Sequence, residues 1–292
     1  MALIVKKNFK YNDPPDSIIF GSKEHLEWGQ VALFEQTKIL QEVHDRLLDP
    51  KDSKKMIMAM SIISIKETSR SILLLARNSV RDSYALSRIL LDATLNLGYY
   101  SVDDKMIDKA IKYSHQKSFR DLFRDIDPST LEAKSRLTEI SDFKVPNNLK
   151  KAFEEFTSKK GNEIRNWYGE PRDNVYKRIE KIEKVHGKDM GKVLNFCLFS
   201  IYRHASEIIH ATFFGTNYGI GFTNTREEMP KNDEEYKIYI YKMNSYLMSV
   251  LNLLIETSIR IIDYDFHMED LVEKSRGFTN HLTELTTNAN IG

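Results

Sequence analysis

The sequence predicts an all-α fold, a multi-helix bundle with a core of long antiparallel helices and additional helices packed around it. Two observations lead to this prediction. Apolar residues recur at helical spacing along most of the 292 residues, and only 12 Gly and 7 Pro interrupt them. Hydrophobic residues form 41% of the chain and charged residues 29%, so the chain can bury a core and is not a disordered protein.

Three regions are expected along the chain. Residues 1–22 contain two of the prolines and are predicted to form an irregular arm. Residues 23–277 are expected to form a single helical domain, because no linker composition interrupts them. The polar stretch 278–292 is expected to be a tail that frays.

The first helices follow from apolar spacing and from breaker residues. A helix is predicted over 22–48, where Pro50 stops it. Residues 51–100 contain no Pro, and their first Gly is Gly98. This stretch is too long for one ordinary globular helix, so we predict two antiparallel helices with a break near 77–80.

The later helices are predicted by the same signals. Their expected ranges are 103–124, 128–141, 147–160, 172–186, 189–214 and 233–264. Pro128 and Pro146 fit the first turns of two of them, and Gly187 and Gly215 are expected to end two others. Residues 215–232 are predicted to form the longest loop, a candidate lid or partner surface.

Charge, cysteine content and hydropathy exclude several classes of protein. The formal net charge is +1, which excludes a strongly basic nucleic-acid coat but leaves a local basic patch open. The single cysteine, Cys197, excludes a disulfide framework and a site of several thiolates. No signal peptide and no apolar run of about 20 residues is apparent, so no membrane partner is expected and a cytoplasmic location is predicted.

The densest group of polar side chains lies in the sequence YRHASEIIH, residues 202–210. Arg203 and His210 are seven residues apart and therefore lie within about 20° of one helix face, with Ser206 and Glu207 between them. One interpretation is structural, an Arg203–Glu207 ion pair beside a half-exposed histidine. The other is a catalytic pair made of Arg203 and His210.

A second polar group is the pair Arg88 and Asp92, with Tyr84 and Asn96 on the same helix face. Apolar residues surround the pair, so we expect it to be at least partly buried, and a buried ion pair needs partners. We predict that its helix packs against the 189–214 helix and places the pair near Ser206 or His210.

Two further patterns are weaker. Glu183-x-x-His186 and Glu207-x-x-His210 share the spacing of carboxylate-bridged di-iron bundles, which also need two further glutamates on other core helices. Only a short turn separates the two helices that carry the motifs, and the first motif lies at a charged helix end, so no metal is expected. Trp167 follows a basic segment that contains Arg165. These two residues could bind a nucleic-acid substrate by stacking, or the tryptophan could anchor a connection onto the bundle.

Two of these stretches together resemble a widespread family of bacterial helical proteins of unknown function. The resemblance covers about residues 55–215. It consists of Arg88-x-x-x-Asp92, where the family favours Glu in place of Asp, and of a later signature of a Trp followed by Tyr, Ser and His on one helix. In this chain the later residues are Trp167, Tyr202, Ser206 and His210.

The same helix also resembles the signature of HEPN ribonucleases, an Arg and a polar residue followed by a His, here Arg203, His204 and His210. The resemblance implies a helical bundle that dimerises across this helix, cuts RNA without metal or cofactor, and serves in toxin–antitoxin or antiphage systems. It further implies that His210 is the acid/base, that Arg203 stabilises the phosphorane and that His204 positions phosphate.

The resemblance therefore implies RNA, a second copy of the chain, and an antitoxin or defence-system protein as partners. The alternative is a non-catalytic helical module that binds a protein or a small ligand. In that interpretation Arg88, Asp92, Ser206 and His210 form a buried polar network, which Tyr202 and Glu207 support. Exposure of Arg203 and His210 favours the enzyme, and burial favours the module.

Overall fold

The computed structural model describes residues 17–123, 155–156, 174–221 and 229–288, and all regular structure in these residues is α-helical. The described helices are α1 (Lys23–Leu47), α2 (Ser53–Leu75), α3 (Val80–Val102), α4 (Asp104–Phe123), α5 (Val175–His186), α6 (Lys188–Ile209), α7 (Phe213–Gly219), α8 (Asp233–Phe266) and α9 (Glu269–Asn288). The predicted all-α fold class is confirmed.

Local hydrogen bonds explain where the first helices begin. The Ser22 hydroxyl accepts from the His25 amide at 3.1 Å and caps α1. The Asp52 carboxylate accepts from two amides in the first turn of α2. The Ser79 hydroxyl accepts from the Asp82 amide at 3.0 Å at the start of α3. The predicted break near 77–80 is therefore confirmed, and α2 and α3 pack against each other.

The core is built around α8, which packs against α1, α3, α6 and α9. Two buried asparagines on α8 bind neighbouring backbone: Asn244 donates to the Ala76 carbonyl at 2.6 Å, and Asn252 donates to the Gly29 carbonyl at 3.2 Å. These bonds satisfy carbonyls whose burial would otherwise be costly. They fix α8 against α1 and against the turn after α2.

Among the described helices, α8 alone is long and apolar enough to cross a membrane. This corrects the expectation that no segment approaches the length of a membrane span. Of its most apolar 18 residues, 78% are buried within the protein. That degree of burial is typical of the core helix of a bundle, because an apolar helix surrounded by other helices needs no lipid.

The end of α6 differs from the prediction. The helix stops at Ile209 rather than at 214, because Ala211 adopts a left-handed conformation with φ 51°. The Ala211 amide donates to the Ile208 carbonyl, and the Thr212 amide to the Glu207 carbonyl. These two bonds form a Schellman turn, in which glycine is the usual left-handed residue.

The segment after this turn also differs from the prediction. Residues 213–219, most of which fall in the predicted loop, form the short helix α7, which packs against α3 and α6. The Thr212 hydroxyl accepts from the Gly215 amide at 3.1 Å and caps α7. Gly215 therefore lies inside a helix instead of ending one.

The C-terminal end is folded further than the predicted tail boundary at 278. Helix α9 continues to Asn288, and its Leu282 and Leu285 are buried in a cluster with Ile18 and Trp28. The Ile18 amide donates to the Leu285 carbonyl at 2.9 Å. The last residues of the predicted arm and most of the predicted tail are thus part of the packed structure.

The domain predicted over 23–277 contains two compact units. One comprises Met1–Val102 and Tyr176–Gly292, and the other comprises Asp103–Val175. In the second unit the rings of Tyr113 and Phe156 meet edge to face at 5.0 Å. The helices predicted at 128–141 and 147–160 lie outside the described residues, except for residues 155–156.

Candidate functional site

Arg203 and His210 both lie exposed on α6 and at its C-terminal cap. They are seven positions apart, which corresponds to about 10 Å along the helix axis on one face. Within the described part of the chain, neither side chain makes a hydrogen bond or an ion pair. The opposite side of α6 is anchored in the core through Leu198, Ile201 and Ala205, so the helix itself is fixed.

Large aromatic side chains flank these two residues. Phe199, four residues before Arg203, is 75% exposed, and Phe213, three residues after His210, is 82% exposed. Phe196 is also exposed. We call Phe196, Phe199, Arg203, His210 and Phe213 the α6 face. A surface that exposes several aromatic rings around polar groups is typical of an interaction site, since isolated exposed apolar residues are ordinary but clustered ones are not.

Glu207 does not pair with Arg203, which corrects the structural interpretation of this helix. Its carboxylate instead accepts from the Thr212 hydroxyl at 2.6 Å. The same hydroxyl oxygen caps α7 through the Gly215 amide. Glu207 therefore fixes the turn between α6 and α7, and the Arg203 guanidinium is left open to solvent.

His204 packs into an aromatic cluster. Its ring stacks on Tyr218 with centroids 4.4 Å apart, and it meets Tyr84 edge to face at 6.1 Å. Burial, together with the nearby charge of Arg203, lowers the pKa of His204 below its usual 6.5, so this imidazole is neutral at pH 7. Burial also raises the pKa of Tyr84 to about 12. The cluster joins α3, α6 and α7.

The Arg88–Asp92 pair lies where α3 meets α6, so the predicted packing of these helices is confirmed. The Arg88 guanidinium lies 4.5 Å from the centre of the Tyr202 ring and donates to its hydroxyl at 3.4 Å. Its Nε lies 3.8 Å from the Asp92 carboxylate. The contact that the structure shows from α6 is Tyr202, and the expected proximity of the pair to Ser206 or His210 stays a prediction.

Arg178 of α5 is a member of this group that sequence reasoning missed. Its guanidinium lies 3.7 Å from the Asp92 carboxylate and donates to Asn96 at 3.0 Å. Burial raises the pKa of Asp92, and the charges of Arg178 and Arg88 oppose that rise. The sequence did carry a signal for Arg178, which is a cation between the apolar positions of α5. An arginine at such a position is nearly buried and requires hydrogen-bond acceptors.

The two Glu-x-x-His motifs do not meet. The His186 Nε2 atom forms a hydrogen bond of 2.6 Å with the Ser101 hydroxyl, whereas Glu207 binds Thr212. In the chain as far as the structure describes it, no three His, Cys, Asp or Glu side chains come together as a metal site would require. Trp167 and Arg165 lie outside the described residues.

The described residues form an α-helical bundle in which one long helix presents an arginine and a histidine on an exposed face. The chain belongs to a family of unknown function, DUF5677, whose family model matches residues 56–228. The resemblance to an uncharacterised helical family over about 55–215 is thereby confirmed. No curated protein and no solved structure matches the chain.

Proposed function

We propose that this protein is a HEPN-like, metal-independent endoribonuclease that acts in the cytoplasm as a toxin or antiphage defence effector. The observation that supports this proposal is the joint exposure of Arg203 and His210 on one face of α6, with no partner among the described residues. A non-catalytic module would have buried both side chains and given them partners. Catalytic groups must instead remain open to substrate.

In the proposed reaction, RNA supplies its own nucleophile. His210 accepts the proton of a 2′-hydroxyl while the 2′-oxygen forms a bond to the adjacent phosphorus. The bond from phosphorus to the 5′-oxygen then breaks, the 5′-oxygen takes up the proton that His210 had accepted, and a 2′,3′-cyclic phosphate remains. Arg203 stabilises the additional negative charge of the phosphorane. His204, neutral and held against Tyr218, is assigned to positioning of the phosphate.

The exposed aromatic rings give the α6 face two uses in this proposal. Phe199 and Phe213 can stack on unpaired bases, which is how single-stranded nucleic acid is held without a highly basic surface. They can also bury one another in a homodimer, which would bring two copies of Arg203 and His210 to one cleft. The chain as a whole has a net charge of only +1, but such a cleft would concentrate cations where the RNA binds.

The decisive experiment is RNA cleavage by the purified chain and by His210→Ala and Arg203→Ala variants. We expect cleavage by the wild type to leave 2′,3′-cyclic phosphate ends, to persist in a chelator, and to fall by at least about 100-fold in each variant. His267→Asn is the control, because His267 is also exposed but lies between α8 and α9 with a positive φ that Asn tolerates. Cleavage that survives His210→Ala would refute the proposal.

A non-catalytic interaction module is the second candidate, and the exposed phenylalanines favour it. Such a module would use Phe199 and Phe213 to bind a partner protein and would need neither Arg203 nor His210 for chemistry. Expression of the wild-type chain in bacteria separates the two candidates. Slow growth that requires His210 supports the enzyme, whereas slow growth that requires Phe199 but not His210 supports the module.

A further inference from the structure

A pocket of about 600 Å³ lies at the C-terminal end of α6, with the first turn of α3, helix α7 and Tyr236 of α8 as its other walls. Its volume lies within the range of about 300–1,000 Å³ that small-molecule sites occupy. The residues that line it do not include Arg203 or His210. The pocket is therefore a separate feature from the α6 face.

One part of the pocket wall is apolar. Ile208 and Ile209 come from α6, and Ile220 follows α7. Ile209 and Ile220 are among the exposed large hydrophobic side chains of this protein. Their apolar surface faces a concave site, where a ligand with an apolar body would remove it from water.

Of the described residues that line the same pocket, Arg81 alone is cationic. Its Nε atom lies 3.1 Å from one Asp82 carboxylate oxygen, and the other oxygen accepts from the Ser79 hydroxyl at 3.0 Å. The guanidinium of Arg81 therefore binds Asp82 through its Nε edge only. The two terminal nitrogens make no hydrogen bond with another side chain that the structure describes, so they remain available as a pair of donors.

The stem of Arg81 is supported by close packing on α7. A Cβ atom added at Gly219 would lie 3.2 Å from the Arg81 Cβ and 3.4 Å from its Cγ, so only glycine leaves this stem in ordinary contact. The Arg81 side chain is 68% exposed, with its Nε atom at Asp82 and its stem beside Gly219, so its terminal nitrogens are open to a ligand. A planar donor pair of this kind matches a carboxylate or a phosphate, which accept two parallel hydrogen bonds.

We propose that this pocket binds a small amphipathic anion, with its carboxylate or phosphate monoester on Arg81 and its apolar body on Ile208, Ile209 and Ile220. Binding here is independent of RNA cleavage, and the site makes no use of the α6 face. A pocket that failed to bind such an anion would therefore leave the proposed ribonuclease activity untouched, and the reverse also holds.

The test is a fluorescence titration of the purified full-length chain with 1-anilinonaphthalene-8-sulfonate, an apolar dye that carries one anionic group. We expect the dissociation constant to rise about tenfold or more in Arg81→Gln and to stay unchanged in Arg70→Gln, a matched control on the exposed side of α2. Ala85→Phe places a ring in the pocket and should abolish the bound-dye signal. Melting temperatures near that of the wild type establish that the variants are folded.

Competition identifies the chemistry of the ligand. Octanoate and octyl phosphate should both displace the dye, and the one that binds more tightly shows which head group the site prefers. Octanol, which carries no charge, should displace the dye at least about tenfold less well. Equal displacement by octanol would overturn the proposal, because the site would then be an apolar cleft without anion recognition. A dye signal that persists in Ala85→Phe would also overturn it, since the dye would then lie elsewhere, for example on Phe199.

Discussion

The hydroxyl of Thr212 donates to the carboxylate of Glu207 across 2.6 Å, and its oxygen also accepts from the amide of Gly215. One side chain thus joins the last turn of α6 to the first turn of α7. His210, the proposed acid/base, is the capping residue of α6 immediately before this turn. The position of His210 therefore depends on Thr212.

Replacing Thr212 with Val should lower the free energy of unfolding by about 1–2 kcal/mol, because the helix cap and the bond to a carboxylate are both lost while the shape is kept. Thr212→Ser retains the hydroxyl and should stay within a few tenths of a kcal/mol of the wild type. Urea denaturation monitored by circular dichroism measures both. Equal stability of the Val and Ser variants would contradict this role for the hydroxyl.

Gly215 and Gly277 form a matched pair of helical glycines. A Cβ atom at Gly215 would overlap the backbone carbonyl of Glu207, whereas a Cβ at Gly277 would meet no atom within 4 Å. We expect Gly215→Ala to destabilise the protein by about 2 kcal/mol, since backbone cannot move aside cheaply. Gly277→Ala should instead stabilise it by about 0.5–1 kcal/mol through helix propensity. If Gly215→Ala raised the melting temperature as Gly277→Ala should, the close approach of α7 to α6 would be contradicted.

Asp92 should contribute less to stability than its two cationic neighbours suggest. It is 39% exposed and lies between Arg88 and the 7%-exposed Arg178. Burial nevertheless raises the pKa of Asp92, so ionisation of this carboxylate is less favourable in the folded chain than in the unfolded one. Asp92→Asn should therefore change the free energy of unfolding by less than about 1 kcal/mol, as should Asp189→Asn, a control at the exposed pair of Asp189 with Lys192. A loss of several kcal/mol for Asp92→Asn alone in urea unfolding would contradict this prediction.

His25 should make stability depend on pH. The imidazole is fully buried, accepts from the Gly21 amide at 3.1 Å and contacts the Ser249 hydroxyl at 3.1 Å. Burial lowers its pKa to about 4. The unfolded chain takes up a proton near pH 6.5 and the folded chain does not, so the stability contributed by neutral His25 is complete above pH 6.5 and falls by up to about 3 kcal/mol as the pH drops to 4.

The comparison with His25→Asn isolates this effect, because the Asn side-chain oxygen can accept from the Gly21 amide without titrating. Wild type should be the more stable protein at pH 7.5, owing to its larger buried ring. That advantage should shrink by about 2 kcal/mol or more at pH 4.5. A difference in unfolding free energy that is the same at both pH values would mean that His25 does not titrate as its burial implies.

The sequence by itself determined the fold class and most helix boundaries. The starts of α1 and α8 and the break before α3 depend on apolar periodicity and on side chains that bond to amides two or three residues away, as Ser22 and Asn232 do. Such local interactions involve only residues that are close together in the sequence. The shared face of Arg203 and His210 was determined in the same way, since the helical repeat alone sets it.

Only the tertiary structure decided which groups meet across helices. The contacts of Arg88 with Tyr202 and of Asp92 with Arg178 depend on the rotation of α5 and α6 against α3, which packing of the whole core sets. The early end of α6 depends on Ala211, a residue that rarely adopts a positive φ and gives no warning in the sequence. The exposure of Arg203 and His210 was likewise a tertiary result, because periodicity places residues on a common face without specifying whether another helix covers it.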